Sequence, residues 1–337
     1  MAQTRDAAIV GIHEYPSRVV GPGVSALQIK AASAAKALED AGLSWSDVDA
    51  VYDTGSHQNI GGLGISEYLG IKPKIIDSTS VGGTSYEFHA NHAAAMIAAG
   101  KCNVALLTYG STAHSDRRAI GTGGYASSGP NNPHNNMEAP WGMTLISNYG
   151  MVKARHMHQY GTTNEQFAAI SIATRKHAMR NPEAVKAMTE LEFVGIQELT
   201  VEDVVDSRMV AWPLRLLECC MISDGGGAVV IASKEVARNT AKKPVWIIGT
   251  GEATKYRENG GDITVSAGGQ SGPRAFADAG VSPSEIDSLM VYDSFSITVM
   301  CLIEDLGFCA KGEGGDYVAQ GHLVFDDPAG PALNTDG

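Results

Sequence analysis

The run A-L-E-D-A-G-L-S-W-S-D-V-D at residues 37–49 returns at residues 275–287 as A-F-A-D-A-G-V-S-P-S-E-I-D, without a gap. Each copy closes a helical run and leads into an apolar stretch, residues 50–52 in the first and 288–292 in the second. A helix–loop–strand unit repeated at a fixed offset of 238 residues implies a duplicated α/β half rather than two unrelated domains. Duplicated α/β sheets commonly bind ligand where the halves meet, which is where a site is expected here.

The 337 residues are 44% hydrophobic, enough for a large core or two fused ones. With 25 basic against 37 acidic residues and a net charge of −12, no basic block is available for nucleic acid or an anionic membrane. The adjacent basic pairs Arg117-Arg118 and Lys242-Lys243 read as solvated surface. The amino terminus lacks the basic and long apolar regions of a signal peptide, and the apolar runs 93–99 and 228–232 are too short to span a bilayer. The five cysteines (Cys102, Cys219, Cys220, Cys301, Cys309) are odd in number and show no C-x-x-C spacing. They read as reduced, mostly buried thiols in a cytoplasmic protein, neither disulfide framework nor metal site.

Periodicity and punctuation predict a strand at 7–11, a helix at 25–41 closed by Gly42, and strands at 50–52 and 74–76. An Ala-rich helix at 86–99 ends at Gly100, before a central strand at 104–108. Residues 110–143, rich in Gly, Ser, Asn and Pro, read as a long loop of the kind that covers a site or forms an interface. Helices follow at 148–158, 165–179 (N-cap Thr163) and 181–188. Ser223-Asp224-Gly225-Gly226-Gly227 reads as a turn into a strand at 228–232. From Lys243 the pattern restarts, with strands at 245–249 and 289–292 and helices at 271–279 and 296–306. The expected domains are a first half, 1–240, with an insertion over about 111–221, and a second half, 241–337. The second half stops early, inside Asn334-Thr335-Asp336-Gly337, so it is expected to be truncated by a helix and closing strands.

Three motifs converge. The S-D-G-G-G-A-V-V run at 223–230 resembles the S-D-G-A-A-A turn of thiolases. Tyr292-Asp293-Ser294-Phe295 stands where these proteins carry N-E-A-F, or H-D-C-F in the sterol-carrier-protein-type branch. Asn334-Thr335-Asp336-Gly337 resembles the start of their N-x-x-G-G turn. With the repeat, the resemblance covers essentially the whole chain. It implies the duplicated five-layer αβαβα thiolase fold with mixed sheets.

A thiolase carries its nucleophilic cysteine at the amino end of the helix that corresponds here to 86–99. Aligned through Gly100, that position falls on Gly83 in Ser80-Val81-Gly82-Gly83-Thr84-Ser85, and no cysteine lies within fifteen residues of it. The thiolase route through an acyl-enzyme is then closed, and a hydroxyl from Thr84 or Ser85 would need an activating base. The Gly82-Gly83 amides at a helix start still suit a thioester oxyanion. Tyr292, replacing His or Asn, has a phenol suited to exchanging a proton with a hydroxyl. The combination resembles the thiolase-like aldolases of the lipid-transfer-protein type, which shorten steroid side chains. The resemblance implies retro-aldol cleavage of a β-hydroxyacyl-CoA into a ketone or aldehyde and a shorter acyl-CoA.

Tyr292 is thus the expected catalytic residue, with Gly82 and Gly83 holding the thioester. Asp293, Ser294, His57, His114 and Asn334 are possible cleft-lining residues. His89 and His92, at i and i+3, lack an identifiable third ligand and read as satisfied interior or interface histidines; no metal is expected. The family's G-H-P histidine and second cysteine belong beyond Gly337. The resemblance implies a homodimer and a separate small zinc-ribbon/OB-fold partner chain in a heterotetramer, with no cofactor in this chain and any zinc in the partner. Two other readings stay open: a non-catalytic acyl-CoA-binding subunit, and an acyltransferase using another thiol such as Cys309.

Overall fold

The structure, a computed structural model, describes residues 6–55, 60–117, 144–255 and 261–336. The chain begins with β1 (Ala7–Glu14), α1 (Ala26–Ala41), β2 (Ala50–Tyr52), α2 (Gly61–Leu69), β3 (Ile75–Asp77), α3 (Ser85–Ala98) and β4 (Val104–Thr112). It continues with α4 (Leu145–Tyr160), α5 (Asn164–Ala178), α6 (Pro182–Glu190), α7 (Val201–Val205), β5 (Met209–Ala211) and β6 (Leu214–Arg215). Next come β7 (Asp224–Ser233), α8 (Lys234–Ala237), β8 (Val245–Trp246) and α9 (Gly268–Ala279). The last elements are β9 (Ser288–Leu289), α10 (Ser296–Asp305), α11 (Gly314–Ala319) and β10 (Ala332–Leu333). Two compact units interleave along the chain: the described residues of 1–117, 223–252 and 275–280 form the first, and those of 118–222, 253–274 and 281–337 the second.

In the first unit six strands form one mixed sheet, ordered β3-β2-β4-β7-β1-β8 among the described residues. β2 runs parallel to β3 and β4, while β7 is antiparallel to both β4 and β1. Side chains alternate across the sheet as the period of a strand requires. Leu106 joins the core under α1 with Ala34, Leu38 and Val230, whereas Leu107 joins the opposite core with Ala93, Ile97 and Tyr52. α1 approaches the sheet closely because Gly11 has no side chain; a Cβ there would stand 2.2 Å from the Ala37 carbonyl oxygen. A fully buried ion pair crosses this layer, Lys30 Nζ to Asp53 Oδ1 at 2.8 Å, and Thr108 Oγ1 donates to the other Asp53 oxygen at 2.6 Å.

The repeat is structural as well as sequential. Gly42 and Gly280 both take φ of 71°, the left-handed conformation that ends a helix with least strain in glycine. In each copy a serine then caps one turn of 3-10 helix. Ser44 N–H donates to Asp47 Oδ2 and Ser282 N–H to Glu285 Oε2, both at 2.8 Å. A strand in a parallel pair follows each, β2 beside β4 and β9 beside β10.

The second unit is mainly helical. α5 supplies Phe167, Ile170 and Ala173, and α10 supplies Ile297, Met300 and Ile303, to one core that also holds Phe295, Val318 and Leu333. Phe167 and Phe295 are fully buried, each contributing on the order of 2 kcal/mol by leaving water. α5 begins at the expected cap, Thr163, whose hydroxyl accepts from Gln166 N–H at 3.3 Å. No helix among the described residues is long and apolar enough to cross a membrane.

Several expectations need correction. Ser223–Gly227 is not a turn: β7 starts at Asp224, and Asp224–Gly227 pair with Tyr109–Thr112 of a β4 that extends four residues past its expected end. Glycine is required there by closeness, since a Cβ on Gly226 would meet the Tyr109 carbonyl oxygen at 2.2 Å. The expected strand at 289–292 is only Ser288–Leu289, because the side chain of Asn334 takes over the hydrogen bonds of Val291. The strand at 245–249 is reduced to Val245–Trp246. α2, α7, α11 and the β5–β6 hairpin were not foreseen. Most of the 110–143 loop, together with His57 and Gly337, lies outside the described residues.

Candidate active site

The first unit offers the turn ahead of α3. Gly82 takes φ of +86°, which bends the chain so that Ser85 N–H donates to the Gly82 carbonyl at 3.2 Å. Ser85 Oγ donates to the same carbonyl at 2.6 Å and accepts from Val81 N–H at 2.9 Å. The buried Ser85 therefore locks the turn from beneath, leaving Gly82 and Gly83 exposed. Among the described residues, no protein acceptor takes the Gly82 or Gly83 N–H. Amides at a helix start, on the positive end of the helix dipole, are groups that hold developing negative charge. The loop is tied back on its other side: Asp77 accepts from Thr79 N–H and Oγ1, both at 2.8 Å, and His89 Nε2 meets the Thr79 carbonyl oxygen at 3.0 Å.

A cavity of about 630 Å³ lies next to the first turn of α3, lined by Tyr86 and Glu87 and floored by Ile12, Tyr109 and Val229 of the sheet. Burial pushes the Tyr86 phenol above its ordinary range, and its hydroxyl sits 3.2 Å from Thr54 Oγ1. His89 is buried against Tyr52 and Tyr86, and burial holds its imidazole toward the neutral form. His92 sits between carboxylates instead, 2.6 Å from Asp77 Oδ2 and 3.3 Å from Glu252 Oε1. These two helix neighbours serve different partners.

The second unit carries the other expected residues together. Asn334, buried at φ +42°, donates from Nδ2 to the Val291 carbonyl at 3.0 Å and to Asp293 Oδ2 at 3.2 Å. Its Oδ1 accepts from Val291 N–H at 2.9 Å. Tyr292 lies between those two anchored residues with its side chain half exposed. Desolvation raises the Asp293 carboxyl, against the opposing pull of the Asn334 amide, so its proton is held more tightly than on an ordinary aspartate. Ser294 faces inward, 2.9 Å from Thr298 Oγ1. Gly82, Gly83 and His114 belong to the first unit. Among the described residues His114 Nδ1 is buried without a hydrogen-bond partner, and the His114 backbone N–H serves Asp224.

Asp224 is the residue whose position the sequence identified without its task. Buried at the start of β7, it accepts from Val20 N–H (2.9 Å), Ser115 N–H (3.0 Å) and Ser115 Oγ (2.6 Å). It staples three chain segments of the first unit. Sequence reasoning missed the buried Lys153–Glu218 pair of the second unit altogether, since nothing in L-E-C-C marks that glutamate.

All five thiols are free, and each titrates above its usual range. Burial pushes Cys102 up to about 11 and Cys219, Cys301 and Cys309 up to about 12. Crowding by protein atoms and the Asp293 carboxylate raise Cys220. A nucleophilic cysteine needs the opposite shift.

A family model described as thiolase C-terminal domain-like matches residues 249–337. The chain is 32% identical over 316 residues to a steroid side-chain-cleaving aldolase of Thermomonospora curvata, covering 89% of this chain and 78% of the relative. It is 31% identical over 330 residues to the 17-hydroxy-3-oxo-4-pregnene-20-carboxyl-CoA lyase of Mycobacterium tuberculosis, covering 94% and 82%. A solved Ltp2-ChsH2(DUF35) aldolase superposes with a TM-score of 0.85 at 29% identity, over 99% of this chain and 85% of that one. Human mitochondrial 3-ketoacyl-CoA thiolase shares the fold at 14% identity, with a TM-score of 0.66 over 95% of this chain and 94% of that one.

Proposed function

The chain belongs to the thiolase superfamily, in the sterol-carrier-protein-type branch that holds the steroid side-chain-cleaving aldolases, and from that membership we propose its reaction. It is a carbon–carbon lyase that cleaves a β-hydroxyacyl-CoA, of the steroid side-chain class, by a retro-aldol step. The β-hydroxyl proton is taken up and the Cα–Cβ bond breaks. Its electron pair passes into the thioester as an enolate, and protonation at Cα releases the shorter acyl-CoA beside the ketone or aldehyde. Protons balance, and no nucleophile or free CoA is consumed.

On this reading Tyr292 exchanges the proton with the β-hydroxyl, and the Gly82 and Gly83 amides receive the thioester oxyanion. Asp293, the next residue along the chain, has a carboxyl raised by burial and held by the Asn334 amide. The reaction draws on no cofactor in this chain. The observation that carries the assignment is a turn ahead of α3 whose Gly82 and Gly83 amides meet no acceptor among the described residues, in a chain whose five thiols are all raised by burial rather than activated.

A partner subunit is part of the proposal, supported by the two-component name of the solved aldolase. In its finer form the assembly is a homodimer joined by small zinc-ribbon/OB-fold chains, with the zinc in the partner. Tyr292→Phe tests the assignment: turnover should fall by about 100-fold or more while acyl-CoA binding is kept. Equal turnover in the variant would remove Tyr292 from the chemistry.

A further inference from the structure

The segment that bears Tyr292 has little regular structure of its own, since β9 ends at Leu289 and α10 starts at Ser296. Asn334 holds one end of it. The other end is held by a neighbouring run of chain. Cys220 N–H donates to the Ser294 carbonyl at 3.0 Å, and Cys219 forms an isolated antiparallel bridge with Phe295. That run hangs from Glu218. Glu218 Oε1 accepts from Ser296 Oγ at 2.7 Å and from Lys153 Nζ at 2.5 Å, and Oε2 accepts from Arg215 N–H at 2.9 Å. Lys153, on α4, also donates to the Pro213 carbonyl at 3.3 Å and lies 4.7 Å from the centre of the Phe167 ring.

Both charges are withdrawn from water: the Lys153 side chain is 0% and the Glu218 side chain 2% exposed. A buried ion pair costs desolvation that its attraction barely offsets, and well-packed apolar residues of like volume often stabilise as well. Bulk stability is therefore a poor account of this pair. Its geometry gives a better one. A single carboxylate, fixed by a single ammonium, sets both the start of α10 and the run that flanks Ser294 and Phe295.

We propose that Lys153, Glu218 and Ser296 form a positioning cluster that aims the Tyr292 segment at substrate. The proposal rests on the assignment of Tyr292 above. None of the three touches the reacting atoms; they act through the loop. Displacement of a catalytic group by a fraction of an ångström lowers turnover without weakening substrate binding comparably.

The test is a double-mutant cycle on the full chain with its co-purifying partner, using a 17-hydroxysteroid 20-carboxyl-CoA as substrate. Ser296→Ala should lower kcat roughly 10-fold, leave KM within about twofold, and lower the melting temperature by only a few degrees, as loss of one buried hydrogen bond requires; Ser296→Thr should restore most of the kcat loss. In a Tyr292→Phe background, Ser296→Ala should have no further effect, because neighbours acting through one group are non-additive. An unchanged kcat for Ser296→Ala, or the same fold-loss in both backgrounds, would overturn the proposal. Full activity of Tyr292→Phe alone overturns the tyrosine assignment, and this proposal with it, in a separate arm. A Lys153→Met/Glu218→Gln variant that stays folded by circular dichroism should reproduce the kcat loss, and wild-type kcat there also refutes positioning.

Discussion

Asn334 carries an unusual share of the loop that bears Tyr292, and its replacement has a cost that can be worked out. Its side chain makes hydrogen bonds to Val291 N–H, the Val291 carbonyl and Asp293 at 2.9, 3.0 and 3.2 Å. It is buried, and its φ of +42° lies where asparagine and glycine are tolerated and alanine is not. At roughly 1 kcal/mol for each bond, losing the side chain costs about 3 kcal/mol. Alanine adds about 1 kcal/mol of backbone strain that glycine avoids. Asn334→Ala should therefore lose about 4 kcal/mol and Asn334→Gly about 3 kcal/mol, read from urea unfolding followed by circular dichroism. Both should depress kcat, since Asp293 loses its amide partner and its carboxyl rises further. If alanine and glycine each cost under about 0.5 kcal/mol, or glycine proves the worse, the claim that Asn334 organises this loop is wrong.

Three further outcomes are expected. Asp53→Ala leaves Lys30 buried without its 2.8 Å partner and should cost about 3–5 kcal/mol, measured by the same unfolding assay. The Asp224 carboxyl sits below its usual range: burial raises it, but the Ser115 hydroxyl and the Val20 and Ser115 N–H groups outweigh that. A depressed folded value means its stabilisation is present above the unfolded carboxylate pKa, near about 4, and fades as pH falls below it. Urea midpoints between about pH 3 and 6 should accordingly slope less in Asp224→Asn than in the wild type. Finally, Cys220→Ser and Cys309→Ser should keep turnover within about twofold, since neither thiol is activated; collapse in either revives the acyltransferase reading.

The repeat was legible because it is made of short-range signals. A left-handed glycine and a serine cap are written locally in both copies, and Gly42, Gly280, Ser44 and Ser282 all do what their residue types dictate. α1 and α5 were likewise found from their caps and periods. What escaped depends on distant partners. Asp224-Gly-Gly-Gly reads as a turn until β4 is seen to accept it as a strand, and Leu289–Tyr292 reads as a strand until Asn334 takes the hydrogen bonds of Val291. Glu218 and Lys153 are 65 residues apart, and no local pattern predicts that a lysine on α4 will be sealed against a carboxylate. Of the candidate site, the resemblance supplied the expected residue types, Gly83 in place of cysteine and Tyr292 in place of His or Asn. The turn of Gly82 and Gly83 is locked locally by Ser85, whereas the staple that holds the Tyr292 loop, Asn334, is long-range and had to be seen.

The central claim is a carbon–carbon cleavage without a nucleophile, and one product analysis addresses it. The protein, alone and together with any chain that co-purifies with it, is given a β-hydroxyacyl-CoA branched at the β-carbon, free CoA is left out, and products are followed by mass spectrometry. A ketone appearing in equal amount with a shortened acyl-CoA is the predicted result. No cleavage without CoA, together with cleavage of a β-ketoacyl-CoA once CoA is added, would contradict the account and return the chemistry to a thiol.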